Sequence, residues 1–477
     1  WYGSGLLDFL LFFPQDKKLF KHIFILAIPV IISNISRVLM GLVDTIMVGH
    51  LGASAIAAVG MASMVTWAAM SIGIAFRTGT QTIVSRRLGQ KKYEECGVAL
   101  RNMHFFVFLF GIPLTYLCYS NTIQIMSFFL KEETTLQLCV EYSLYIYLSL
   151  YFIYASFVFQ GFYTGIEKTK IHMKVVLVSN LLNFYLNAGL IFGSNKINDF
   201  FSDSPFYFLE FLWLPFNFPE LGVKGAAIGT LFATIWGCFH YSFYLFENEI
   251  KSVYKVFKTN IDITMLKKQL IVAYPIAIQE FLVMLSLTIF YKIIAVIGIL
   301  QLAATQIIFK IMHASFMPAI GIGQACATLV GKSLGESNPD KAELSIKESL
   351  RGSLYIMCSV GLCFILFADY IIPVFIKDYE VIALAVPGLR FIGFLQIIDA
   401  YCFTLWFALT GAGDTKVLAL VDILNHWLIF IPLCYFLSIY CGYGYWGAWA
   451  SFGVMLSALA PFLYYRFKQG NWKKIEV

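Results

Sequence analysis

The chain is written twice. Pro29 in LAIPVIIS stands 246 residues before Pro275 in VAYPIAIQ, and Gly52 stands the same distance before Gly298. Thr82, Val84, Leu88 and Gly89 return as Thr328, Val330, Leu334 and Gly335. Thr164, Gly165, Thr169 and Lys170 return as Thr410, Gly411, Thr415 and Lys416, still without a gap. The spacing then shortens, so that Gly222, Gly225 and Ala226 answer to Gly444, Gly447 and Ala448, which puts an insert in the first half near residues 195–219. Such a chain must fold as two similar units.

The alphabet of each unit decides where it folds. Hydrophobic residues make up 59% of the 477 and charged residues 13%, too apolar for an ordinary soluble protein. A bilayer core of about 30 Å needs about 20 apolar residues in a helix. Runs that meet this requirement are expected at about 22–48, 54–84, 101–120, 138–163, 171–193, 222–246, 269–291, 294–330, 350–373, 381–410, 416–440 and 445–467. None alternates as a barrel strand would. The expected fold is all-α and polytopic, with twelve transmembrane helices in two six-helix bundles.

Basic residues orient the chain. They cluster at Lys17, Lys18 and Lys21, at Arg86, Arg87, Lys91 and Lys92, at Lys168 and Lys170, and at Lys251, Lys255 and Lys258. They return at Lys332 and Lys341, at Lys416, and at Lys473 and Lys474. These are alternate loops and both termini, so the positive-inside rule expects both termini in the cytoplasm. The net charge of +6 is then a topology signal, and no nucleic-acid partner is expected. With six helices per unit, both units enter from the same side, and their pseudo-twofold axis lies along the membrane normal. The expected division is an N-lobe over 1–247, a basic linker over 248–268 and a C-lobe over 269–477. No cleavable signal peptide is expected, and the apolar Leu6–Phe13 is too short to span.

Several chemistries are disfavoured. The ten cysteines show no paired spacing and read as small buried hydrophobes, without disulfides or a metal framework. Gly411–Lys416 lacks P-loop spacing and repeats the turn at Thr164–Lys170. Neither ATP-driven pumping nor an enzyme is expected, and no cofactor.

Ionisable groups at membrane depth are costly and are functional candidates by default. Asp44 lies late in the first span, with no basic residue one turn away; a carboxyl group there suits reversible protonation or an oxygen-lined Na⁺ site. Asn183 and Asn187, four apart on the fifth span, share a face, and Asn180 shares much of it. Thr230 follows on the sixth. Their oxygens suit an alkali cation, and amides in membrane helices also simply join neighbouring helices. In the second unit the candidates are Glu280, Asp399, Lys310 and the i,i+4 pair Asp422 and His426. Lys310 is expected to pair with an acid, Arg37 or Arg77 could pair with Asp44, and Arg390 is expected to snorkel near the outer end of its span. By the repeat, Asp44 corresponds to Phe290, Glu280 to Asn34 and Asp399 to Ile153: the architecture is duplicated and the acids are not. Among the many aromatics, Tyr142, Tyr145 and Trp67 could line a cavity for flat lipophilic cations.

Pro29, Asp44, Thr45 and Gly49 in the first span resemble the multidrug and toxic compound extrusion (MATE) family. So do Arg86–Gly89, the run from Asn183 to Gly193, Gly222–Ala227 and the turn Thr410–Lys416. The resemblance covers about residues 20–467 and extends to the NorM- and DinF-type branches of the multidrug/oligosaccharidyl-lipid/polysaccharide exporter superfamily. It implies an antiporter exchanging H⁺ or Na⁺ for organic, chiefly cationic, compounds by alternating access between two bundles. It implies a monomer among the lipids of the inner or plasma membrane. Asp44 resembles the cation-binding carboxylate, with Tyr142, Asn180, Asn183, Asn187 and Thr230 around it, and Na⁺ would rest on Asp44, Asn183, Asn187 and Thr230. Asp399 resembles the tenth-helix acid of the NorM type. Glu280 departs from that pattern, standing five rather than eight residues after its proline, and Asn187 stands where some relatives carry Asp. The alternative is a lipid-linked oligosaccharide flippase of the same superfamily, for which a basic cleft is expected.

Overall fold

The computed structural model describes residues 13–202, 213, 216–258 and 260–477. Among them, twelve helices are long and apolar enough to cross a membrane. We number them α1 (Lys17–Gly49), α2 (Ala53–Gly89), α3 (Tyr93–Ser120), α4 (Glu133–Gly165), α5 (Thr169–Ile197) and α6 (Gly222–Tyr244) in the first half. The second half holds α7 (Ile263–Ile297), α8 (Ile299–Gly335), α9 (Pro339–Phe375), α10 (Tyr379–Gly411), α11 (Thr415–Tyr440) and α12 (Gly444–Gln469). The protein is a multi-pass membrane protein. Leu6–Phe13 lies outside the described residues except for Phe13, as do residues 203–212, 214 and 215 of the insert at 195–219.

Most helices run past their apolar stretch. Those continuations are polar turns, which hydropathy does not register, and four of them are closed at their start by a side-chain cap. Asp16 accepts from the backbone N–H of Lys18 and Leu19 at the start of α1, and Asp262 does the same for Thr264 and Met265 at the start of α7. The two caps are themselves one repeat apart. A short helix, Asn248–Tyr254, occupies the linker, and α7 begins at Ile263.

Two segments depart from regular α-helix. Gly193 breaks α5 with φ 74° and ψ 157°, and the described part of the insert folds back there. Trp213 is buried, donates its indole N–H to the Tyr185 carbonyl at 3.0 Å and stacks on the Tyr185 ring. The insert therefore packs on its own lobe where it is described. In α11 the backbone widens to π-helical turns over Asn425–Phe430 and Phe436–Tyr440, on either side of Pro432. Such turns often mark functional positions.

The halves meet at the end that carries the basic loops, and the contacts obey the repeat. Thr82 donates its hydroxyl to the Thr410 carbonyl at 3.1 Å, and Thr328 donates to the Thr164 carbonyl at 3.1 Å. A Cβ on Gly89 would stand 2.0 Å from the Lys332 carbonyl oxygen, and one on Gly335 would stand 2.2 Å from that of Arg86. A Cβ on Gly331 would meet the Ser85 hydroxyl, its own repeat partner, at 2.0 Å. Only glycine permits α2 and α8 to cross this closely. Gln81 also donates to the Gln324 carbonyl and the Thr328 hydroxyl, both at 2.9 Å. Both chain ends fasten the same region. The Gln15 N–H bonds the buried Glu348 carboxylate at 2.9 Å, and Arg86 donates to the Ile475 carbonyl at 3.2 Å.

Candidate functional site

Away from that closed end the lobes part around a cavity of about 1480 Å³ lined by residues from both. It extends from Gln160 and Gln324, on its closed-end floor, to Phe375, the last residue of α9 at the opposite end. Its wall is mostly apolar, and the polar groups fall into separate clusters.

The N-lobe cluster centres on Asp44. Its Oδ1 accepts from the Asn187 side-chain amide at 2.8 Å. The same amide donates to Asn183 Oδ1 at 3.3 Å, and the Asn183 amide donates to the Thr230 hydroxyl at 3.1 Å. Helices α1, α5 and α6 thus share one chain of hydrogen bonds. Asn187 is fully buried, and its Oδ1 has no hydrogen-bond partner. That oxygen lies over Gly229, where a Cβ would come within 2.1 Å. The Gly-rich start of α6 is what admits the amide. Tyr142 is half-buried beside this cluster, packed on the apolar group that includes Val48 and Ile191. It lies behind the cavity wall, and so does Tyr145, whose ring sits under the Lys224 ammonium at 5.6 Å. Trp67 does line the cavity, edge-on to His313 of the other lobe at 6.4 Å.

Asn180 parts from its neighbours. It lines the cavity, but its amide donates to Ser36 on α1 at 2.7 Å. Three residues of helix turn it toward a different partner than the one that holds Asn183.

The C-lobe cluster is built on Asp422. The Gln279 amide of α7 donates to its Oδ2 at 2.7 Å, and His426 Nδ1 lies 3.3 Å from its Oδ1. The i,i+4 pair lies within α11 and joins its α-helical start to the first π-helical turn, and the Gln279–Asp422 bond braces α7 against α11. Glu280 is half-buried at the cavity wall and faces Asp422 and His426. Asp399 is 2% exposed, and its Oδ2 has no hydrogen-bond partner.

Two sequence expectations about pairing need correction, and Arg390, placed as expected, gains a partner. Among the described residues Lys310, exposed to the cavity, has no acid within 4.0 Å, and α8 itself carries no carboxylate. Neither Arg37 nor Arg77 pairs with Asp44, whose Oδ1 is taken by Asn187. Arg390 has a partner of its own at the outer end, Asp369 at 2.5 Å. Gln160, Gln279, Gln324 and Asn34 were missed as cavity residues. A search for amides as well as charges at membrane depth finds all four.

The MatE family profile matches residues 29–188 and 275–436, one segment in each half. The chain is 26% identical over 467 residues to a probable multidrug resistance protein NorM of Thermotoga maritima, covering 97% of this chain and 96% of that one. It is 24% identical over 463 residues to the multidrug resistance protein NorM of Vibrio cholerae, covering 94% of each. In fold it is similar to a solved outward-facing multidrug resistance MATE family transporter of the MOP superfamily, with a TM-score of 0.85 and 19% identity over 96% of this chain and 97% of that one. A eukaryotic MATE transporter superposes with a TM-score of 0.82 and 19% identity over 98% of each chain.

Proposed function

The chain belongs to the MatE family of membrane transporters, and on that footing we propose that it is a proton-driven antiporter for small organic molecules. Multidrug efflux is the activity its NorM relatives are named for. In this reading it sits in the plasma membrane as a monomer, with both termini and the closed end in the cytoplasm. The described conformation then opens outward. H⁺ reaches Asp44 from outside, cargo leaves the cavity, and the lobes swing to admit new cargo from the cytoplasm, which in turn displaces the proton.

The observation that carries this reading is the Asp44–Asn187–Asn183–Thr230 chain at the edge of the cavity. Its only ionisable member is Asp44, so proton uptake changes the charge of the whole cluster. A ligand moves the lobes only by binding the two states unequally. A cluster drawn from three helices can do that when those helices shift.

Na⁺ is a second reading, supported by the partnerless Asn187 Oδ1. Turning that amide would bring its oxygen toward Asp44, beside Asn183 and Thr230. The cavity is not uniformly basic, since Asp44, Glu280, Asp399 and Asp422 line it with Arg37, Arg77 and Lys310. A flippase for polyanionic lipid-linked sugars fits that mixture less well.

The test is efflux of a fluorescent lipophilic cation from proteoliposomes, with a pH gradient or a Na⁺ gradient imposed separately. Efflux under the pH gradient alone, lost in Asp44→Asn, is the expected result. Efflux under the Na⁺ gradient alone would replace the proton with Na⁺, and gradient-driven efflux that survives in Asp44→Asn would remove Asp44 from coupling.

A further inference from the structure

The turns at the closed end obey the repeat except at one place. Lys91 after α2 and Ser337 after α8, one repeat apart, both take a positive φ, 60° and 57°. So do their counterparts after α4 and α10, Glu167 at 62° and Gly413 at 93°. Each lobe sends one cation across into the other's turn. Lys332, in the last turn of α8, pairs with Glu167 at 2.8 Å. Arg86, its repeat partner on α2, reaches the turn after α10 and donates to the Ala412 carbonyl at 3.1 Å. There the symmetry stops, because Gly413 stands where the first half has Glu167. Asp414 beside it is taken by two nitrogens of Arg466, at 2.6 and 3.1 Å. The C-lobe turn therefore has no carboxylate to give Arg86.

The segment after α12 fills that place. Its Ile475 carbonyl accepts from the same Arg86 nitrogen at 3.2 Å, and Glu476 attracts the guanidinium. A Cβ on Gly413 would come within 2.6 Å of Val477 Cγ1, so the glycine is what admits the segment. The segment has a root and a tip. At the root, Trp472 is fully buried and stacks on Phe467 with ring centroids 5.8 Å apart, and Lys473 pairs with Glu343 of α9 at 2.6 Å. All of these contacts lie in the C-lobe. At the tip, Ile475 still packs on apolar residues of the C-lobe, and Val477 packs on the apolar core of the N-lobe.

We propose that residues 471–477 are an interlobe strap, rooted on the C-lobe, whose tip stands in for the carboxylate missing at Gly413 and must leave Arg86 and the N-lobe before the closed end can open. This rests on the alternating-access reading above and names a contact that governs it. The tip holds by one backbone carbonyl and one half-buried valine, so it can detach while the root stays. A neutral carbonyl also grips a guanidinium less firmly than the Glu167 carboxylate grips Lys332. The lock is thus unequal, and the strap side yields first.

The test reads distances between spin labels on Ile123 and Tyr379, exposed at the far end of each lobe. The exposed thiols are first removed by Cys358→Ser, Cys363→Ser and Cys441→Ser. Releasing the strap weakens the closed end, so the far end closes more often. Val477→Asp puts a charge against the N-lobe core, and Arg86→Gln removes the charge that the tip holds. Each is expected at least to double the short-distance population. Lys473→Ala breaks a contact within one lobe and should leave that population as in the wild type. Val477→Asp, at a half-buried position outside every helix, keeps the test alive if Arg86→Gln does not fold. An unchanged population in Val477→Asp or in folded Arg86→Gln, a shift to longer distances, or an equal shift in Lys473→Ala would each overturn the inference. The distances need neither cargo nor gradient, which separates the two readings. Unchanged distances in variants of a protein that still exports under a gradient sink the strap and leave antiport standing. Shifted distances in a protein that exports under neither gradient sink antiport and leave the strap.

Discussion

Thr82 and Thr328, one repeat apart, each donate a hydroxyl to a backbone carbonyl of the opposite lobe at the same 3.1 Å. The equality follows from duplication: the same residue on α2 and α8 finds the same carbonyl at the end of α10 and α4. Around this pair the closed end is assembled from small residues and backbone groups. The open cavity beyond it is lined by ionisable side chains that the two lobes do not share.

Close crossing of α2 and α8 makes the closed end intolerant of a methyl group. Gly335→Ala places a Cβ against the Arg86 carbonyl, and overpacking of this kind costs about 1–3 kcal/mol. The cost falls on the closed-end contact, so the variant shifts toward the opposite-facing state. Spin labels on the exposed Ile123 and Tyr379, at the far end of each lobe, should report a shorter separation in Gly335→Ala than in the wild type. An unchanged distance distribution would mean the crossing relaxes without moving the lobes.

Gly229 admits Asn187 to Asp44. In Gly229→Ala the new Cβ overlaps Asn187 Oδ1, so the amide must turn away from the carboxylate. Gradient-driven efflux is expected to fall at least five-fold, the loss of about one hydrogen bond of roughly 1 kcal/mol to a coupling group. Efflux at the wild-type rate would show that the Asp44–Asn187 bond plays no part in coupling.

Asn180 and Asn183 should separate by function as they do by partner. Asn183→Ala breaks the chain to Thr230, and efflux should drop several-fold. Asn180→Ala removes only the bond to Ser36, and the same assay should find it within two-fold of the wild type. The reverse ranking would place the coupling chain along Ser36 instead.

Glu348 is fully buried, pairs with Arg351 and accepts the backbone N–H of Gln15. Removing one member of a buried ion pair costs about 3–5 kcal/mol. Glu348→Ala should lower the thermal midpoint of the purified protein markedly, and Glu348→Gln less, because the amide oxygen still accepts. Equal midpoints for Glu348→Ala and the wild type, read in one detergent at one scan rate, would contradict this.

Much of the fold was legible because a bilayer imposes simple rules. Twelve apolar runs became twelve helices, and a repeat at 246 residues became interlobe contacts such as Gly89–Lys332 and Gly335–Arg86. Helix ends were less legible, since the first turns of α3 and α9 at the basic end are polar, and only α9 is closed there by a side chain, that of Asn338. The π-helical turns of α11 left no mark in hydropathy. At the site, Asp44, Asn183, Asn187 and Thr230 could be picked out by type, and spacing alone grouped Asn180 with them. Lys310 looked like half of an ion pair because sequence gives charge without distance.

The sequence by itself determined the number of spans, their duplication, the side that carries positive charge, and which polar groups would have to be buried. Those follow from the cost of placing backbone and charge in hydrocarbon, which acts residue by residue. Tertiary structure alone decided which of these groups meet. Asn187 reaches Asp44 across 143 positions, Gln279 reaches Asp422 across another 143, and Arg77 forms no ion pair within 4.0 Å among the described residues. Such outcomes depend on where three or four rigid helices cross, to within an ångström or so, and a chain read in one dimension holds no record of that.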